Sequence, residues 1–224
     1  MDSSRKIMKI AIIGGTGKEG RGLAYRWAQA GHHILIGSRM REKAQSAVDD
    51  LKTLLPEGSL LEALENSDAV EKCDIAVLTV PYSAHRETLD LLKENLKGKI
   101  LIDVTVPLNP TKVTRVSMPK EGSAAQEAQA ILGEDTSVVA AFQNISYENL
   151  MKNSPLDCDV LVCGSGKEAR QIVLSLVEDA GLIGWDAGVI NNAVVVEGLT
   201  SILIGLNIQH KVYSAGIRIT GIDR

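Results

Sequence analysis

Apolar residues fall in short, near-continuous runs separated by amphipathic stretches. "KIAII" (9–13), "HILI" (33–36), "CDIAVLTVP" (73–81), "KILIDVTVP" (99–107) and "SVVAAF" (137–142) are almost wholly apolar, as strands buried on both faces are. Between them, residues 20–30, 41–55, 85–95 and 124–132 carry helical spacing, the first closed by Gly31. "SLLEAL" (59–64) predicts a further strand, and 108–122, with Pro110 and Pro119, predicts a loop. Strands alternating with helices predict the α/β class, as a Rossmann-type doubly wound parallel sheet.

The pattern restarts after "QNISYENL" (143–150). "CDVLVCG" (158–164) and "LIGWDAG" (182–188) read as strands, and 167–180 reads as a helix. Residues 1–145 thus predict a nucleotide-binding domain, and 146–224 a small C-terminal α/β lobe that completes a substrate crevice. The last apolar run, "NNAVVVEGLTSILIGLNIQ" (191–209), is broken by Glu197, Gly198 and Thr200 and falls short of a clean membrane span. It reads as a buried helix suited to cover an interface. The first apolar run ends in a glycine loop, so it reads as a strand rather than a signal peptide.

Composition narrows the class. Aromatic residues make up 3% of the 224 positions while hydrophobic ones make up 45%, so the core must be built from Ile, Val, Leu and Ala. Net charge is −4, and no basic run stands out, which argues against nucleic acid as a partner. Cys73, Cys158 and Cys163 are odd in number and irregularly spaced, which suits a reducing cytoplasm. His32, His33, His85 and His210 show no metal-ligand spacing, and no nucleophile signature occurs.

The chemistry lies in "GGTGKEG". Gly15, Gly17 and Gly20 match G-x-G-x-x-G directly after a strand and at the start of a helix. Gly15 permits the tight turn, Gly17 lets a pyrophosphate approach the backbone, and Gly20 lets helix and strand pack closely. Helix N–H groups then face the phosphates, and Thr16 offers a hydroxyl. NAD sites place a carboxylate about 20 residues further on to bind the ribose 2′-hydroxyl. Here that place holds Gly37, Ser38 and Arg39, with Arg41 and Lys43 following. A hydroxyl and a guanidinium suit a 2′-phosphate, so the residues favour NADP.

Tyr82, Thr105, Val106, Pro107, Gln143, Asn144 and Ser146 all follow predicted strand ends, where such sheets bind ligands. The nicotinamide is expected near 80–82, 105–107 and 142–146. Tyr82 and His85 are candidate general acids, with exposed loop residues as the alternative.

The segments "MKIAIIGGTGKEGRGLAYRWAQAGHHILIGSR", "CDIAVLTVPY", "SAAQEAQAIL", "VVAAF", "DVLVCG" and "DAG" occur in order. Together they resemble the NADPH-dependent coenzyme F420 reductase family, from Met8 to about Asn207. The resemblance implies hydride transfer between NADP(H) and the deazaflavin coenzyme F420, a homodimer, and a C-terminal lobe that helps close over the deazaflavin. Its NADP contacts carry over onto Thr16, Gly17, Lys18 and Glu19, and onto Ser38, Arg39 and Lys43 at the 2′-phosphate. Val80, Pro81 and Tyr82 match a turn beside the nicotinamide. Family members often have histidine in a segment like "AFHN" where this chain has "AFQN", with Gln143. The deazaflavin tail is anionic, which makes Lys112, Arg115 and Lys120 candidates to meet it. Such hydride transfer belongs to the two cofactors and needs no catalytic side chain. The rival readings are an NADP-dependent reductase of an imine or ketone, which needs a proton donor, and a non-catalytic NADP-binding module.

Overall fold

The computed structural model describes residues 6–152 and 156–222. The chain runs β1 (Lys9–Ile13), α1 (Lys18–Gln29), β2 (His33–Ser38), α2 (Arg41–Lys52), β3 (Leu61–Glu65), α3 (Asn66–Lys72), β4 (Ile75–Leu78) and α4 (Tyr82–Leu96). It continues through β5 (Ile100–Asp103), α5 (Ala124–Leu132), β6 (Ser137–Ala140), α6 (Tyr147–Leu150), β7 (Asp159–Gly164), α7 (Lys167–Asp179), β8 (Ile183–Gly188) and α8 (Ala193–His210). All eight strands form one sheet in the order β3-β2-β1-β4-β5-β6-β7-β8.

Six strands, β1 to β6, run parallel. The sheet is nevertheless mixed: β7 pairs antiparallel with β6, and β8 runs parallel to β7. The cause is the connection. Among the described residues between β6 and β7 the one helix is the four-residue α6, too short to span the sheet face as the helix of a parallel crossover does. Between β7 and β8, α7 supplies that crossover.

Each face of the sheet is covered. On one side Leu23 and Trp27 of α1, Ala44, Val48 and Leu51 of α2, and Val173 and Leu176 of α7 pack on Ile10, Ile12, Ile34 and Val139. On the other, Val70 of α3, Leu89, Leu92 and Leu96 of α4, Ala125 and Ala128 of α5, and Val196 of α8 pack on Ala11, Leu35, Ala76 and Leu101. Trp27 is fully buried; it donates its ring N–H to the Leu176 carbonyl at 2.8 Å and meets Phe142 edge-on at 5.5 Å. His32, also fully buried, joins Asp179 at 2.8 Å and accepts from the Met8 N–H at 3.2 Å. It is a structural residue, tying the start of β1 to the end of α7.

With the turn before it, α8 (190–210) is the one segment among the described residues long and apolar enough to cross a membrane, at mean hydropathy 1.3. It is not the buried helix the sequence suggests: it packs on the sheet side through Ala193, Val196, Ser201 and Leu203, and most of its length is half-buried or exposed. Glu197, midway along it, is buried and accepts from the Ala124 and Ala125 N–H groups at 2.7 and 3.1 Å. Burial pushes the Glu197 carboxyl up to about 8, with Asp103 adding to the rise. The outer stripe Val195, Ile202 and Leu206 remains exposed.

All three cysteines are free and buried. Burial pushes the thiols up, to about 11 for Cys73 and Cys158 and about 12 for Cys163. Thiolate is the reactive form. The native protein at pH 8 is therefore expected to release no thionitrobenzoate from a disulfide reagent within minutes, and the protein in denaturant to release three equivalents. Rapid reaction of the native form would contradict the burial.

Candidate active site

The carboxyl ends of the parallel strands gather the chemistry on one edge. After β1 the Gly15 N–H donates to the carbonyls of Ile12 (3.1 Å) and Gly37 (2.9 Å), which locks the loop to β2. Gly14 sits at φ +72°, and a Cβ there would lie 2.8 Å from Val80 Cγ1. At Gly20 a Cβ would meet Thr79 Oγ1 at 2.7 Å and Gly15 Cα at 2.9 Å. At Gly17 the nearest atom is 3.6 Å away. Gly20 is therefore glycine for packing, whereas a side chain at Gly17 would meet only an ordinary contact with the protein, which leaves room for a phosphate to approach the main chain. Gly17 also caps α1 without a side-chain hydrogen bond, leaving the first helical N–H groups directed outward.

Ser38 closes β2. It is buried, and its Oγ accepts from the Met40 N–H at 3.3 Å. Arg39 and Lys43 are exposed, and neither forms an ion pair among the described residues. Thr16 is half-buried at the loop tip. Lys18 donates to the Tyr147 hydroxyl at 3.0 Å and lies 4.6 Å from that ring's centre. The Glu19 side chain is half-buried, its Oε1 has no partner among the described residues, and burial pushes its carboxyl up to about 8.

Val80, Pro81 and Tyr82 leave β4, Thr105 and Val106 leave β5, and Gln143, Asn144 and Ser146 leave β6. The strand order sets these three exits side by side. The Tyr82 hydroxyl donates to Glu127 at 2.6 Å. Burial, followed by that hydrogen bond, raises the Tyr82 pKa far above its ordinary value, so it is a poor acid. Phe142 adopts φ +73°, a region non-glycine residues rarely use. Its ring is held in the core by Trp27, and beyond it Gln143 Nε2 donates to the Asp103 carbonyl at 2.7 Å. Gln143 Oε1 is buried without a partner among the described residues. Ser146 Oγ donates to the Tyr213 carbonyl at 3.1 Å.

The full length of the chain can be compared with known proteins. Residues 9–107 match the family described as NADP oxidoreductase, coenzyme F420-dependent. The chain is 42% identical over 224 residues to the F420-dependent NADP reductase of Methanocaldococcus jannaschii, covering 96% of this chain and 100% of the other. It belongs to the F420-dependent NADP reductase family. The family member from Methanothermobacter marburgensis is 41% identical over 222 residues, covering 96% of this chain and 99% of that one. A crystal structure of a candidate F420-dependent NADP reductase from Arthrobacter sp. FB24 superposes with a TM-score of 0.81 at 24% identity, over 95% of this chain and 99% of that one. It shares the fold.

In this F420-dependent NADP reductase chain, one group differs from what the sequence suggests. His85 is not loop surface. It is fully buried in the first turns of α4, with Nε2 2.8 Å from Asp103 Oδ2. Burial alone would lower its pKa, but the Asp103 charge and hydrogen bond, with Glu127, outweigh it and raise the pKa. Shut away from solvent, His85 offers no proton to a substrate. The basic loop residues Lys112, Arg115 and Lys120 are exposed, Lys120 lying 3.6 Å from Glu121, and their loop runs along α8 opposite Gly198 and Gly205.

Two contributors went unread in the sequence. Asn66 Oδ1 accepts from the Gly14 N–H at 3.3 Å, bracing the glycine loop from α3. Asp103 closes β5, and its one sequence signal is an acid at the end of an apolar run. Among the described residues no group of three or more His, Cys, Asp or Glu is arranged to hold a metal ion.

Proposed function

We propose that this chain is an oxidoreductase that transfers a hydride between NADP(H) and the deazaflavin coenzyme F420. The observation that carries the NADP half is the turn after β2, where Ser38, Arg39 and Lys43 stand where NAD sites place an acid. The family membership supports the deazaflavin half.

When bound, NADP(H) supplies the hydride-carrying nicotinamide. The chain's part is to bind, orient and exclude water. The Gly15–Gly20 loop, with Thr16 and the N–H groups of Lys18 and Glu19, holds the pyrophosphate. Ser38, Arg39 and Lys43 hold the 2′-phosphate. Val80, Pro81, Tyr82 and Val106 flank the nicotinamide, with Gln143 and Ser146 from the neighbouring strand exit. Residues 1–145 form the NADP-binding unit, and 146–224 close the crevice for the deazaflavin.

Hydride transfer between two ring systems needs no side-chain acid, which agrees with a committed Tyr82 hydroxyl and a buried His85. Reduction of an imine or ketone would need a donor at the substrate heteroatom, and these two groups do not provide one. We further infer a homodimer that covers the Val195–Ile202–Leu206 stripe of α8, in the cytoplasm and without membrane or nucleic-acid partners. The exposed apolar stripe and the free, buried thiols support that setting.

Mixing the purified protein with NADPH and oxidised coenzyme F420 tests the reading. Loss of the deazaflavin absorbance at the rate of NADPH consumption is the expected result. NADPH binding with no such loss overturns it in favour of a binding module.

A further inference from the structure

His85, Gln143 and Asn144, each with one buried polar atom (Nδ1, Oε1 and Oδ1) that has no partner among the described residues, are joined through their other atoms in one hydrogen-bonded network. Asp103 is its centre. Its Oδ2 meets His85 Nε2 at 2.8 Å, with both side chains fully buried. Its Oδ1 accepts from the Thr105 N–H at 3.0 Å, and its main-chain carbonyl accepts from Gln143 Nε2 at 2.7 Å. One residue therefore holds a member of each crevice segment: α4 behind the Val80–Tyr82 turn, the exit of β5, and the turn after β6. The tie extends to α8. Thr200 Oγ1 donates to the Gln143 carbonyl at 2.9 Å, and Asn144 Nδ2 donates to the Val196 carbonyl at 3.0 Å and Thr200 Oγ1 at 3.2 Å.

A buried ion pair is a poor source of stability, because desolvation offsets its attraction. It does constrain geometry, since either partner left alone would be a buried polar group without its hydrogen bond. Hydride transfer depends on geometry: reacting atoms must be held about 3–3.5 Å apart, and a misplacement of about 1 Å can cost about 100-fold in rate. We propose that the His85–Asp103 pair is a positioning device for hydride transfer, fixing the separation of the three segments that flank the nicotinamide and its partner ring. This rests on the crevice assignment given above. Neither residue is catalytic, since both lie beneath the crevice and act through the segments they hold.

The test uses the full-length protein with Asp103→Asn, with His85→Asn, and with Asp103→Asn and His85→Gln together. The double variant can form a neutral amide pair that keeps both side-chain hydrogen bonds. Calorimetry gives the NADPH Kd, the fluorescence enhancement of bound NADPH reports how firmly the nicotinamide is held, and single-turnover reduction of coenzyme F420 gives the rate per NADPH-binding site. Asp103→Asn is expected to bind NADPH within about 3-fold of wild type, because the phosphate subsites lie on other strands. Its fluorescence enhancement is expected to fall, and its rate to drop about 10–100-fold. The double variant is expected to recover both. His85→Asn, too short to reach Asp103, carries the same expectation and decides the matter where Asp103→Asn does not fold. Unchanged enhancement and rate per binding site in the single variants overturn the proposal. So does a loss that the double variant leaves unrepaired, since the hydrogen-bonded tie between α4 and β5 would then not be what sets the rate. A wild type that binds NADPH without reducing the deazaflavin overturns the functional reading instead; the role of the pair in holding the nicotinamide is then decided by the fluorescence.

Discussion

Gly17→Ala is expected to fold as the wild type does and to lose NADPH. The backbone at Gly17 lies at φ −71° and ψ 164°, which alanine adopts freely, and an added Cβ meets nothing nearer than 3.6 Å. Reducing the freedom of the unfolded chain at such a position stabilises by about 0.4–1 kcal/mol, which offsets alanine's weakness as a helix cap. The melting temperature should thus stay within a few degrees. The methyl instead stands where a pyrophosphate must approach the main chain. Overpacking costs about 1–3 kcal/mol, or about 5–150-fold in Kd. Gly20→Ala is the control. Its Cβ would press on Thr79 Oγ1 and Gly15 Cα, so it should lower the melting temperature as well. Calorimetric titration with NADPH beside thermal melts separates the two. A Gly17→Ala protein that binds NADPH as tightly as wild type would remove the loop from the nucleotide site.

The two glycines show what spacing alone can and cannot tell. G-x-G-x-x-G marks both, but only the surroundings distinguish the glycine that packs from the one that faces outward. Elements with strong periodicity were legible: the ranges read for β1 and α5 coincide with those observed. The apolar runs 73–81 and 99–107 are longer than the strands within them, because apolar residues continue past the last paired positions, Leu78 and Asp103, into the crevice turns. α3 was invisible. Only Ala69 and Val70 are buried in its seven residues, too few to make a stripe. The direction of β7 was equally hidden, since a strand buried on both faces reads alike either way. The burial of His85 has no sequence signal for another reason. Its partner lies 18 residues away, and the two meet only because α4 folds back over β5, a tertiary fact with no local signature. The phosphate loop and the turn after β2 were legible because each is a contiguous motif tied to one strand end.

That second turn leads to the other large effect. Replacing Arg39 and Lys43 together by alanine is expected to erase discrimination between NADPH and NADH by weakening NADPH alone. Both side chains are exposed and without ion pairs among the described residues, so their removal leaves no buried charge stranded and should not disturb folding. A hydrogen bond to a charged group contributes about 1.5–3 kcal/mol, and solvent exposure reduces that at each site. A combined loss of about 2–4 kcal/mol corresponds to a rise of about 30–1,000-fold in the NADPH Kd. NADH carries a hydroxyl where the phosphate would be, so its affinity should move by less than about 3-fold. The salt response gives a second readout. Exposed charge pairs weaken as ionic strength rises, so wild-type NADPH binding should fall between low and high salt, and the double variant should respond far less. Steady-state kcat/KM for each nucleotide, measured at two ionic strengths, decides it. Equal losses for NADPH and NADH would place the 2′-phosphate elsewhere, and with it the physical basis for assigning NADP rather than NAD to this chain.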